Sequence, residues 1–405
     1  MIEPLTVFFI VAGIMIIGFL GNVFFKRTGW PELLFLIAMG IIVGPVLNIF
    51  SKEEFLPALP LISTFTLLMI LFRGGIDLNL FEVVSGSFRA LFQTSAYFTI
   101  GMLSIAFFLH FMMGWEWIDS FMLGSIVSQT GAVVIVPMAK KLGVRTETAT
   151  LLSIEATVTS IFNIVFFFAF LETRLGEILD LAEALTFIAA RFSVGIVTGA
   201  IMGILWVRVL LLVEKEEFTY MATMGYILIS YIISETLRGS GALTVLVLGI
   251  VIGNDEAFSR ILRMSPPTPS FSEAKTYLVR FQGEISFILR TFFFVLLGLM
   301  FDVSHSSLFV ALSYGIPIVG ILIIIRYFVT SVSTWKSSMA SDKGTITGMC
   351  ALGLTPALLS LLPLQYNLPN AYLYTLTITN IIILTNIITS VSTLKCRRRN
   401  STHKT

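Results

Sequence analysis

Long apolar runs separated by short polar loops make up almost the whole chain. A helix of roughly 20 apolar residues crosses a bilayer. The pattern predicts thirteen such spans, near 5–25, 32–50, 58–75, 88–112, 118–139, 149–171, 184–212, 218–237, 240–254, 281–301, 306–333, 344–363 and 370–394. The ninth, Ser240 to Asn254, is short and glycine-bearing. Two consecutive spans depart from the rest. The fifth is broken at its centre by Ser128-Gln129-Thr130-Gly131, and the sixth carries Glu155, Thr157, Thr159, Ser160 and Asn163 in an otherwise apolar run. A glycine among hydroxyls at membrane depth frees backbone groups that lipid cannot satisfy, so such a break lines protein or a hydrated cavity.

The pattern also contains a weak echo. Span three ends Leu71-Phe72-Arg73-Gly74-Gly75-Ile76-Asp77-Leu78, and span ten ends Leu296-Leu297-Gly298-Leu299-Met300-Phe301-Asp302-Val303. Taking spans 1–6 (about 1–171) and 8–13 (about 218–394) as inverted repeats matches these two ends. It also matches broken span five with span twelve, which carries Gly353, Leu354, Thr355 and Pro356. Paired interrupted segments in inverted repeats mark a transporter site. At a 1.5 Å rise, Thr130, Ser160 and Gly353 to Pro356 lie roughly 14 to 18 Å from their span ends, near the middle of a hydrocarbon layer about 30 Å thick. Helix ends meeting there present partial charges of both signs. Packing glycines and hydroxyls are the alternative reading of the same residues. The fold class expected is an all-α polytopic membrane protein with about thirteen transmembrane helices and discontinuous crossing helices.

Composition agrees, with 56% hydrophobic and 12% charged residues among 405. A soluble domain cannot bury that much apolar surface. The formal net charge of +2 points to no nucleic acid partner, because the basic residues sit in short loops. Their distribution sets an orientation. With the N-terminus outside, Lys26, Arg27, Arg89, Lys140, Lys141, Arg145, Lys215, Arg260 and Arg263 all fall inside, as does a basic tail over 395–405. Outer loops hold Lys52, Arg174 and Arg238 among many carboxylates, including Glu53 and Glu54. The expected location is the cell membrane, multi-pass, with the C-terminus cytoplasmic. The N-terminus reads as a retained span, since Glu3 and no basic region precede the first apolar run. The stretch Asp255 to Arg280, with Pro266, Pro267 and Pro269, reads as a cytoplasmic linker. Cys350 and Cys396 do not make a disulfide framework.

Buried charges need partners, since a lone charge at depth costs a few kcal/mol or more. Glu155 and Arg290 lie roughly 9 and 12 Å from the inner ends of spans six and ten, which predicts an ion pair between them. Such a neighbour favours the ionised carboxylate and a structural role. Glu284, near the inner boundary of span ten, is a candidate funnel residue or a solvated helix-end carboxylate. Arg191 and Arg326 lie deeper, with no partner legible in the sequence, and His110 reads as interfacial. No metal-ligand cluster, phosphate loop or nucleophile elbow is evident, so neither an enzyme nor a cofactor is expected.

These features in this order resemble the monovalent cation–proton antiporter superfamily, the sodium/hydrogen exchangers. The resemblance covers essentially the whole chain, as one transmembrane domain over 1–394. It is carried by the span-three motif, by Gly124 to Val134, by Ser153-Ile154-Glu155-Ala156-Thr157-Val158-Thr159-Ser160, by Ser240 to Asn254 and by Arg290 to Gly298. It implies an inverted-repeat fold of thirteen spans, a mobile core domain, a dimerisation domain, a homodimer and the Glu155–Arg290 pair. The chain departs from the family in four places. Ser160 stands where an aspartate is usual, Thr130-Gly131-Ala132 replaces Thr-Asp-Pro, Arg73 replaces an acidic residue, and Leu352 stands near where a basic residue is expected. A carboxylate that binds either cation or proton couples the two fluxes; a serine hydroxyl does not titrate near neutral pH.

The leading expectation is therefore exchange of Na⁺ or K⁺ against H⁺ by alternating access. Ser128, Thr130, Gly131, Thr159 and Ser160 would form the ion site, with Glu155 or Glu284 as candidates for proton coupling. A transporter of an anion or neutral solute, and a transport-inactive relative with a regulatory or structural role, are the alternatives.

Overall fold

The computed structural model describes residues 4–28, 30–47, 49, 59–78, 88–142, 144–176, 181–213, 216, 218–261, 269–301 and 304–402. Lys52, Glu53, Glu54, Lys215, Arg263, Pro266, Pro267, Asp302 and Val303 lie outside them. Among the described residues the secondary structure is helical throughout, and every one of the thirteen predicted spans is occupied by helix. Among the described residues, seven helices are long and apolar enough to cross a membrane, and four shorter apolar helical stretches accompany them.

In chain order these are α1 (Pro4–Thr28), α2 (Glu32–Ile41), α3 (Leu59–Asp77) and α4 (Phe88–Met113). Span five is two helices, α5 (Trp117–Val127) and α6 (Ala132–Leu142). Then come α7 (Thr146–Leu175), α8 (Leu181–Leu212), α9 (Thr219–Thr236), α10 (Gly241–Gly253), α11 (Asp255–Ile261), α12 (Pro269–Leu299) and α13 (His305–Ser333). Span twelve is also broken, into α14 (Lys343–Gly348), α15 (Leu354–Leu359) and the single turn α16 (Leu362–Gln365). The last helix, α17, runs over Ala371–Thr402.

Two boundaries differ from the sequence reading. The stretch read as a linker is helical at both ends: α11 occupies its start, and α12 begins at Pro269, whose missing N–H is harmless in a first helical turn. The basic tail continues α17 through Thr402, because no proline or glycine interrupts residues 371–402.

The chain divides into two compact units, neither of which is a sequence half. One comprises Met1–Pro60, Gly86–Leu171 and Arg290–Thr405; the other comprises Leu61–Ser85 and Glu172–Leu289. In the second unit α10 is buried on nearly every side. It needs no lipid-spanning length, which explains the short, glycine-bearing ninth span. Its backbone packs directly on α3, where a Cβ on Gly249 would meet the Phe72 carbonyl oxygen at 2.5 Å. Arg191 of this unit has partners after all. It pairs with Glu172 and Glu235, at 3.3 and 3.1 Å, and donates to the Gly239 carbonyl. Glu235 in turn accepts from the Gly241 amide at the start of α10. In the first unit α2 and α12 meet with equal closeness at Gly40 and Gly298, and both broken spans lie in this unit.

Candidate functional site

The two breaks touch. Helix α5 ends at Val127, and Ser128 to Gly131 are irregular before α6 begins. Helix α14 ends at Gly348, and Met349 to Gly353 are irregular before α15. The Gly131 amide donates to the Ala351 carbonyl at 2.7 Å, so one freed backbone donor meets one freed acceptor. Only a residue without a side chain fits here: a Cβ on Gly131 would lie 2.6 Å from the Gly353 nitrogen.

Other freed groups are met by side chains from two neighbouring helices. Along α7, Glu155, Thr159 and Asn163 recur every four residues, so they share one fully buried face. The Thr159 hydroxyl accepts from the Thr130 amide at 3.4 Å and donates to the Glu155 carbonyl. The Asn163 amide donates to the Ile126 carbonyl at 2.9 Å. Ser160 lies off this face. It is half-buried, and its hydroxyl donates to its own helix at the Ala156 carbonyl. From α17, the Thr385 and Thr389 hydroxyls accept from the Leu352 and Cys350 amides, and the Asn386 amide donates to the Leu352 carbonyl.

The α17 residues are neighbours of the second break that the sequence reading missed. The signal was a run of threonines and asparagines over 375–393, polar groups that an apolar span holds only when they have partners.

The predicted ion pair is corrected. Glu155 pairs with Arg326, not Arg290: both Arg326 terminal nitrogens reach the carboxylate, one Nη2–Oε2 distance being 3.2 Å. The Arg326 Nε also donates to the Ile346 carbonyl at 3.0 Å, near the end of α14, and its guanidinium lies 4.9 Å from the Tyr97 ring centre. Thus a cation does serve the second break, supplied by α13 rather than by the broken span itself. Depth along the spans favoured Arg290 over the deeper Arg326; the rotation of α13 against α7 decided for Arg326. Arg290 instead binds Glu32 at 2.5 Å. Glu284 belongs to the other unit and forms a largely exposed helix-surface pair with Arg280 at 4.0 Å.

Around the first break several buried polar atoms have no protein partner among the described residues. They are the Ser128 hydroxyl, both side-chain amide atoms of Gln129, the Thr130 hydroxyl and the Asn163 carbonyl oxygen. Buried polar groups are otherwise almost always paired, so this cluster is suited to water or an ion. A cavity of about 200 Å³ reaches both broken spans, at Val134 and Pro137 of α6 and at Gly353 and Leu354.

Comparison with known proteins agrees with this architecture. The family described as sodium/hydrogen exchanger, transmembrane, matches residues 8–394. The K(+)/H(+) antiporter NhaP2 of Shewanella oneidensis is 24% identical over 367 residues, 86% of this chain and 59% of that protein. The low-affinity Na(+)/H(+) antiporter NhaS1 of Synechocystis is 26% identical over 225 residues, 53% of this chain and 40% of that protein. The chain thus spans 59% or less of the length of these two relatives. The solved structure of the sodium proton antiporter MjNhaP1 from Methanocaldococcus jannaschii superposes with a TM-score of 0.72 at 18% identity, covering 96% of each chain. By its family match over nearly all its length, and with the broken-helix architecture that its residues build, the chain belongs to the sodium/hydrogen exchanger family.

Proposed function

We propose that this chain exchanges Na⁺ or K⁺ for H⁺ across a membrane by alternating access, with the cation held at the crossing of the two broken spans. The observation that carries this reading is the set of buried, unpartnered oxygens at Ser128, Gln129, Thr130 and Asn163 beside the Gly131–Ala351 contact. Hydroxyl and amide oxygens replace part of a cation's hydration shell, as oxygen rings do in selectivity filters. Thr159 braces the site through the Thr130 amide. Ser160 takes the place of the usual aspartate and supplies no charge. The N-terminus lies outside, the C-terminus is cytoplasmic, 1–171 and 218–394 are inverted repeats, and the working unit is a homodimer.

Purified protein in proteoliposomes under an imposed pH gradient tests the reading. Addition of NaCl or KCl is expected to collapse the gradient. Folded protein giving no cation-dependent pH change from about pH 6 to 9, the range in which a coupling carboxylate or histidine titrates, rejects antiport.

The neutral crossing favours a second reading, a transport-inactive relative. Ser160→Asp separates the two. Flux that appears only in the aspartate variant identifies an intact machine whose natural form is silent.

A further inference from the structure

We propose that Glu32 is the carboxylate at which cation and proton compete, and that the cavity beside it is their route to the crossing. This inference rests on the antiport reading above. Competitive coupling needs a titratable oxygen that a cation can reach, and the hydroxyls of Thr159 and Ser160 do not titrate near neutral pH.

The other described carboxylates of the first unit are placed differently. Glu155 has both oxygens on Arg326 and no exposed surface. Asp342 accepts from the Thr148 hydroxyl, and Glu147 from the Ser338 hydroxyl. Glu116 and Asp119 sit at the start of α5, nine or more residues before the break. Glu32 stands apart from all of these. It gives one oxygen to Arg290 at 2.5 Å, keeps 17% of its side chain exposed, and is the one carboxylate of this set that lines the cavity reaching both broken spans.

Position completes the case. Glu32 lines the cavity of about 200 Å³ together with Asn22, Arg290, Val134, Gly353 and Leu354. Gly353 is the residue that Gly131 touches, and Val134 donates its amide to the Gly131 carbonyl. One cavity therefore joins an accessible carboxylate to both breaks. Glu32 and Asn22 can offer a hard cation carboxylate and amide oxygens, the ligands such ions prefer. When the cation takes the second oxygen, the proton there leaves to bulk water; a returning proton displaces the cation. Arg290 is the charged side chain that lines the cavity with Glu32, and its bond to the other oxygen holds the carboxylate in place.

The test uses the full chain in proteoliposomes. Glu32→Gln is expected to reduce Na⁺- or K⁺-dependent proton flux to the level of protein-free vesicles. Wild-type activity that Glu32→Gln retains overturns the assignment of Glu32 alone; a silent wild type overturns the antiport reading and this assignment with it. Because the variant could misassemble, the wild-type protein supplies a second measurement. A hydrophobic carbodiimide adds to a protonated carboxyl to give an N-acylurea that mass spectrometry locates. Glu32 is expected to be labelled, with labelling suppressed when NaCl or KCl replaces choline chloride, and Glu155 is expected to stay unlabelled. An unlabelled Glu32, or labelling indifferent to the cation, overturns the proposal.

Discussion

Glu155–Arg326 and Glu32–Arg290 are both ion pairs between helices distant in sequence, and both lie in the unit that holds the broken spans. The first is sealed, with neither side chain exposed, and both carboxylate oxygens and the Nε have partners. The second keeps 20% of Arg290 and 17% of Glu32 exposed beside a cavity. Full desolvation makes a pair costly to break and useless for exchange, because nothing can reach the carboxylate. Partial exposure weakens the pair and leaves an oxygen for a competitor. The same two residue types thus brace the broken helices in one place and stay partly exposed beside a cavity in the other.

Arg326→Ala cuts deepest into that contrast. It strands a buried carboxylate and frees the Ile346 carbonyl, and is expected to destabilise the protein by about 3–5 kcal/mol. Thermal unfolding in detergent would read this as a large fall in Tm, and replacing both partners with apolar residues of similar volume (Glu155→Leu with Arg326→Met) should recover much of it. A variant as stable as wild type would mean the pair is not sealed. Gly131→Ala should come next, at about 1–3 kcal/mol, since overpacking separates the two breaks. Flux should fall with stability here, whereas an inert substitution would place the crossing elsewhere. Thr385→Val removes the acceptor of the Leu352 amide and should cost about 1–3 kcal/mol, toward the lower end if water enters. Arg290→Ala should cost less than Arg326→Ala, about 1–3 kcal/mol, because the cavity lets water reach the carboxylate that it leaves behind. A loss of stability matching Arg326→Ala would erase the distinction between the two pairs.

Much of the fold was legible in the residues. Apolar runs of bilayer length marked the spans, and the glycines and hydroxyls of Ser128 to Gly131 and Gly353 to Pro356 marked where helices break. The structure places those breaks in contact. The site was legible only in outline. Thr159 was found with its face of α7, whereas Ser160 lies half-buried off that face, with its hydroxyl on the Ala156 carbonyl. Gln129 and Asn163 were noted but left out of the ion site, and the α17 hydroxyls were passed over, because a polar side chain shows its partner only when the neighbouring helix is in place.

What the chain determined by itself is local: helix length, the positions that cannot stay helical, and the side of a helix each residue occupies. These follow from hydrogen bonding within a few residues and from the exclusion of bare backbone from lipid. What only the tertiary structure decided is which arginine meets which carboxylate. Glu155 and Arg326 are separated by 171 positions, and their meeting depends on how α7 and α13 rotate against each other. Helix–helix packing sets that rotation through many weak contacts summed over whole surfaces, and depth within one span carries no record of it.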